Sequence, residues 1–256
     1  MRWIKGLIPT VIILLGALLL GCICYISIWG VPSFVVQRVE QALLEKGIPS
    51  HIETLKVTLW PRAVVTLKNV ELLDPEAMPE TRRPIVLLHE ADVALNWKKL
   101  IEGQVVPERV NVKGMDVTVP VDAGNPEKVF SVTGVNAELN LGRPGMVDIV
   151  KADAVVQGIR VTAQGAFSIG QDDSGDFTLT AQDMGAVREQ LNQVLNYMDR
   201  VKWPDASPPR LIVNLSDDPK GGVRVGMDLQ APVLRYGKIM VRDFLFSGDY
   251  ADSVIM

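Results

Sequence analysis

The feature that most limits what this chain can fold into is a half-period slip repeated along its strand-like segments. In "VNVKGMDVTV", residues 110–119, Val110 and Val112 occupy even positions, but Met115, Val117 and Val119 occupy odd ones. A β-strand sends alternate side chains to opposite faces, so such a slip should exchange the core face for the solvent face. The same slip recurs around Asn69 in "LKNVEL", Gly134 in "VTGVNAEL", Gly158 in "VVQGIRVTA" and Asp243 in "VRDFLF". Every hinge is Gly, Asn or Asp, the residue types that tolerate a left-handed backbone. A β-bulge would insert one residue and restore the face; a tight hairpin turn would reverse the chain. Asn-Gly and Asp-Gly pairs are absent from the five sites, which favours the bulge. Asn69, Gly114, Gly134, Gly158 and Asp243 are therefore expected to be the positions where strands bend and a sheet curls into a trough. The irregular spacing of the units argues against a solenoid.

Around these hinges, period-two runs rich in Val, Thr, Ile and Phe predict strands from about residue 51 onward. They include "HIETLKVTLW", "AVVTLKNVELL", one or two strands over Ile85–Leu88 and Asp92–Trp97, then Arg109–Val121, Val129–Leu141, Met146–Val156, Ile159–Ile169 and Asp176–Thr180. Further runs cover Leu211–Leu215, Gly222–Leu229, Val233–Tyr236 and Lys238–Phe246. Two segments instead have helical spacing. Over 32–46, Val35, Val39, Ala42 and Leu43 share a face, with Pro32 suited to a first turn and Gly47 and Pro49 to a stop. Over 183–200, Val187, Leu191, Val194, Leu195 and Met198 form one stripe, with Asp183 as the expected N-cap. Its mixed polar face suits a lid or plug on the sheet. The first helix suits packing at the sheet's end or lying on a membrane surface. "KKLIEG" reads as a helical turn or a short connector.

The N-terminus carries the most specific local signal. From Leu7 to Trp29 the chain has no charged residue, and at ~1.5 Å per residue that length spans a ~30 Å hydrocarbon core. Trp3 precedes the run and Tyr25 and Trp29 close it, as interfacial aromatics do. Arg2 and Lys5 come before it and the next charge is Arg38, which places the N-terminus in the cytoplasm and the rest across the membrane. A cleaved signal has a shorter apolar core and an A-x-A-like site, which this run lacks. "LLGC" at Leu19–Cys22 resembles a lipobox, but the residues after Cys22 stay apolar to Trp29. The expected organisation is a cytoplasmic stub and signal-anchor helix over 1–30 and an extracytoplasmic β-domain over 31–256.

Composition and motifs narrow the function. The net charge is −4 with no basic stripe, which excludes an ordinary nucleic-acid binder. The only histidines, His51 and His89, lie far apart, and the only cysteines, Cys22 and Cys24, lie inside the apolar run, so no metal or disulfide framework is expected. "HE" at His89–Glu90 lacks the second histidine of a zinc protease, and "GGVRVG" at Gly221–Gly226 lacks dinucleotide-loop spacing. Asp172–Asp173 and Asp217–Asp218 read as solvated turns. No catalytic residue and no cofactor is assigned, and the chain is read as no enzyme.

The order of anchor run, "VPSFVVQRVEQALLEKGIP", "LKVTLWPRAVVTLKNVELLD" and "ADVALNWKKLIEGQVVPERVNVKGMDVTVP" resembles the N-terminal region of AsmA-like proteins of bacterial envelopes, best over about residues 5–122. The resemblance implies a mainly β protein with a few helices: an inner-membrane helix, a short amphipathic helix, and a curved, bulged, antiparallel-rich periplasmic sheet with an apolar groove. It also implies a role in outer-membrane biogenesis and lipid movement, with phospholipid, the inner membrane through residues 7–29 and other envelope proteins as partners. The candidate lipid face is Leu55, Val57, Leu59, Val65, Leu67, Val110, Val112, Val117, Val119 and Val161. The plainer alternatives are that these residues form a sandwich core, and that the domain is a structural or protein-interaction module that binds no lipid. A dozen or so strands at ~4.8 Å spacing advance only ~60 Å, too little to cross an envelope alone.

Overall fold

In a computed structural model, residues 31–74, 83–121, 128–168, 181–204, 206–218 and 222–251 are described. The apolar run over 7–29 and the strand expected over Asp176–Thr180 lie outside them. No helix among the described residues is long and apolar enough to cross a membrane.

Period-two sequence becomes strand almost throughout. In chain order the elements are α1 (Ser33–Glu45), β1 (Ser50–Thr58), β2 (Val64–Leu73), β3 (Pro84–Leu95), α2 (Trp97–Ile101), β4 (Pro107–Pro120), β5 (Val129–Asn140), β6 (Met146–Val156), β7 (Ile159–Ser168), α3 (Ala181–Met198), β8 (Val201–Lys202), β9 (Arg210–Asp217), β10 (Val223–Tyr236) and β11 (Ile239–Ala251). They build one curved, non-closed sheet. Its strand order is β1-β2-β3-β4-β5-β6-β7-β9-β10-β11, with β8 paired to the end of β10. All neighbours are antiparallel except β7 and β9. That parallel pair needs a long crossover, and α3 lies within it. Two ends can be distinguished. One carries α2 and the β1–β2 turn. The other carries α3, held by Arg188 Nη2 on both carboxylate oxygens of Asp74 at 2.9 and 2.8 Å, and by Lys128 Nζ on Asn192 and Asn196 Oδ1 at 2.6 and 2.7 Å.

The hinges separate into three kinds, and the expectation of bulges needs correcting. Lys68 pairs with Thr54 and Val70 with Ile52, so a single residue, Glu53, faces Asn69. Likewise His89 alone faces Gly114 across β3–β4, and Pro232 alone faces Asp243 across β10–β11. Nothing is inserted in these three ladders, but on its other side Gly114 is a bulge as expected: Lys113 pairs with Asn136 and Met115 with Val135, so Gly114 is an extra residue against β5. Asn69, Gly114 and Asp243 have φ of 49°, 66° and 50°. A left-handed residue turns the strand by half a period without lengthening it, and neighbouring strands slip at the same level: Glu53, Asn69, His89 and Gly114 fall in one row. Gly134 is a true bulge, because Gly134 and Val135 together oppose Ala154. Gly158 is not a strand bend. With Gln157 at φ 49° and Gly158 at 82°, it closes a two-residue hairpin between β6 and β7, the left-handed pair that such turns require.

Of the one or two strands expected on either side of His89 the structure makes one, and the two expected on either side of Pro232 fuse. Ile85–Leu88 and Asp92–Leu95 belong to the single β3, while Trp97, expected to close the strand, opens α2; Val223–Leu229 and Val233–Tyr236 belong to the single β10, because the slips at His89 and Pro232 interrupt the alternation without ending the strand. Helix α3 begins at Ala181, so Asp183 lies in its first turn and is not its N-cap. The "KKLIEG" segment does hold a short helix, α2, which starts one residue earlier at Trp97 and whose cap Asn96 accepts from the Lys99 N–H at 2.9 Å.

The two edges of the sheet differ. Along β1, Glu40 Oε1 of α1 accepts from the Ile52 N–H at 2.7 Å, and the Val31 N–H donates to the Leu55 carbonyl at 2.8 Å. Along β11, the described residues supply no backbone partner beyond β10.

Candidate functional site

Register turns the alternating residues into rows running across the sheet. Nearest the α2 end, Val57, Val65, Val93, Val110 and Leu139 are successive cross-strand partners. The next row is Leu55, Leu67, Ala91, Val112 and Ala137, continued by Ala152, Ala163, Val213 and Met227. Beyond the slip come Ile52, Val70, Leu88, Met115 and Val135, then Leu72, Val86, Val117 and Val132. Without the slip, the second set of rows would face away from the first. With it, apolar side chains stay on one face along the full length of the strands.

Six of the candidate residues thus meet in one plaque: Leu55, Val57, Val65, Leu67, Val110 and Val112. Val117 and Val119 extend it beyond the slip. Val161 lies three strands away, in a row with Ala154, Leu211, Leu229 and Phe246. It borders a depression of about 560 Å³ that also takes in Arg160, Arg210 and Ile212. Leu59 falls outside the rows, in the turn after β1 ends at Thr58. The residues that sequence reasoning missed are those on β3, β9 and β10. Their alternation was visible, but nothing in it showed which strands lie side by side.

The apolar face is thinly covered. Ile52, Val70, Ala91 and Val119 are buried, but most row residues, Leu55, Val57, Val65, Leu67, Val110, Val112, Val117 and Val161 among them, remain partly exposed. Helix α3 buries Leu195 near the start of β5.

Polar chemistry gathers on the other positions of the same strands. Glu90 Oε1 takes Lys113 Nζ at 2.6 Å, its Oε2 takes Lys68 at 2.9 Å, Lys113 reaches Asp92 at 3.3 Å, and Thr66 donates to Asp92 at 2.7 Å. Hydrogen bonds from Lys113 and then Lys68 hold the Glu90 carboxyl down at about 2, and Glu90 in turn raises Lys113. These pairs fasten β2, β3 and β4 on the face opposite the apolar rows. His89 lies over Gly114, where an added Cβ would come within 2.9 Å of its Cδ2. Side chains also stitch the slip in β4 to the bulge in β5. The Gly114 N–H donates to Asn136 Oδ1 at 3.1 Å, and the Gly134 N–H donates to Asp116 Oδ1 at 2.7 Å.

No family model matches this chain, and neither a curated protein nor a solved structure is similar to it.

Proposed function

We propose that the chain is an inner-membrane-anchored, periplasmic AsmA-like protein that takes part in envelope biogenesis by holding or conducting lipid along the apolar face of its sheet. The observation that carries this reading is an uninterrupted set of apolar rows on an open sheet with no second sheet laid against it among the described residues. A sandwich would bury those rows in a dry core. Here they stay partly exposed, and exposed contiguous apolar surface is costly in water unless something covers it. A lipid's acyl chains suit such a surface because they need no directional bonds. The apolar run over 7–29 and the resemblance over residues 5–122 support the bacterial inner membrane as the location.

The test is site-specific photocrosslinking of the full chain in its own membrane, with a photoreactive amino acid at Val112 or Val117, and at Lys113 or Thr118 as controls. Phospholipid adducts, identified by mass spectrometry, are expected at the valine positions and not at the controls. Val112→Asp should lower the adduct at Leu67 at least about threefold, since a carboxylate in the row must stay hydrated. Circular dichroism should remain unchanged. Absence of adducts from both faces would leave a protein-interaction module as the better description.

A further inference from the structure

The α2 end of the sheet has an unusual surface. Trp60, in the β1–β2 turn, is 84 % exposed. Beside it, the β3–β4 connection presents Trp97 at 46 %, Ile101 at 72 % and Val105 at 72 %. The two segments are adjacent: the Leu95 N–H bonds the Ala63 carbonyl at 2.8 Å, and Pro61 and Arg62 line one hollow with Trp97 and Lys98. Large apolar side chains so exposed on neighbouring loops are unfavourable in water. Two cations stand among them: among the described residues neither Arg62 nor Lys98 has an acidic partner within 4.0 Å, although the chain as a whole is acidic. Tryptophan with aliphatic residues and free cations is the composition that seats a protein in the headgroup region of a bilayer.

The direction of α1 supplies an independent argument. Val31 is bonded at the level of Leu55, Glu40 at the level of Ile52, and the Pro49 carbonyl accepts from the Leu73 N–H at 2.8 Å. Helix α1 therefore runs away from the α2 end, and Val31, the residue that follows the apolar run and its glycine, lies on the α2 side.

We infer that the α2 end is a membrane-contacting tip, in which Trp60, Trp97, Ile101 and Val105 enter the outer headgroup region of the bilayer that holds the N-terminal run, while Arg62 and Lys98 meet lipid phosphates. This rests on the anchored reading above. It sets the strands upright on the membrane, with the row Val57–Val65–Val93–Val110 nearest the lipid and α3 farthest from it.

The experiment uses the full chain in nanodiscs of phosphatidylethanolamine and phosphatidylglycerol, with and without bromine on the acyl chains. A variant carrying Trp3→Phe, Trp29→Phe and Trp203→Phe emits from Trp60 and Trp97 alone. Its fluorescence should fall at least about twofold in the brominated discs, as for indoles ~5–10 Å into the interface. A variant that keeps only Trp203 should be unaffected. Arg62→Gln with Lys98→Gln should weaken the quenching. As a readout without tryptophan replacement, a nitroxide at Ile101→Cys, with Cys22 and Cys24 changed to Ser, should be more accessible to oxygen than to a water-soluble nickel chelate. Unquenched emission and a nickel-accessible label in a chain that co-elutes with the discs would overturn the tip alone. A chain that does not co-elute would overturn the anchor and the tip together.

Discussion

Gly114 and Gly134 share a left-handed backbone but not a steric setting. At Gly134 an added Cβ meets nothing within 4 Å, so Gly134→Ala should cost only the backbone preference, about 1 kcal/mol. At Gly114 the same atom meets the His89 ring, so Gly114→Ala should cost roughly 1 kcal/mol more than Gly134→Ala. Chemical denaturation of the two variants measures the difference, and equal losses would mean that the His89 ring moves aside freely. That Gly, Asn and Asp mark unusual backbone was readable from single residues, because few side chains accept positive φ. Which kind of irregularity each one makes was not readable, because it depends on the residue across the ladder. Asn69 is an in-register slip because one residue, Glu53, stands opposite; Gly134 is a bulge because Ala154 faces two.

At the scale of elements, the ties between β2, β3 and β4 are electrostatic on one face and apolar on the other. The Glu90 carboxyl is held at about 2, below its ordinary 4.5. A depressed carboxyl stabilises the fold above its unfolded pKa, and that contribution fades as pH falls through the folded value. Wild type should therefore exceed Glu90→Gln in thermal stability at neutral pH, and the gap should close between about pH 4.5 and 2. Melting both proteins across that range provides the check, and a gap unchanged at pH 2 would contradict the assignment. Salt should shrink the gap at neutral pH, since Lys113 is half exposed. Strand existence was legible here from alternation alone, but strand continuity was not. His89 and Pro232 break the period within β3 and β10, and a broken period is indistinguishable from a loop until the flanking pairs are seen to keep their register.

For the molecule as a whole, the parallel β7–β9 junction unites two antiparallel runs, β1 to β7 and β9 to β11. Gly165 sits in that junction with φ of 131°, and a Cβ there would lie 1.9 Å from the Leu215 carbonyl oxygen. Gly165→Ala should cost on the order of 3 kcal/mol or more and act locally. Hydrogen exchange should then show protection lost in β9–β11 before β1–β4, whereas uniform loss would mean that the two runs fold as one unit. The junction could not be foreseen, because a parallel return through α3 leaves no mark in the alternation of either strand. The ten strands of the main path advance only about 45 Å at ~4.8 Å per strand.

The unequal edges give that advance a direction. Two backbone groups of β1, the Ile52 N–H and the Leu55 carbonyl, are engaged by Glu40 and Val31, whereas the described residues supply no backbone partner along the outer rim of β11. The sheet behaves as a ribbon with a stop sewn at one end. Among the described residues the open edge is β11, away from α1, so a strand added there would prolong the surface of the rows in that direction.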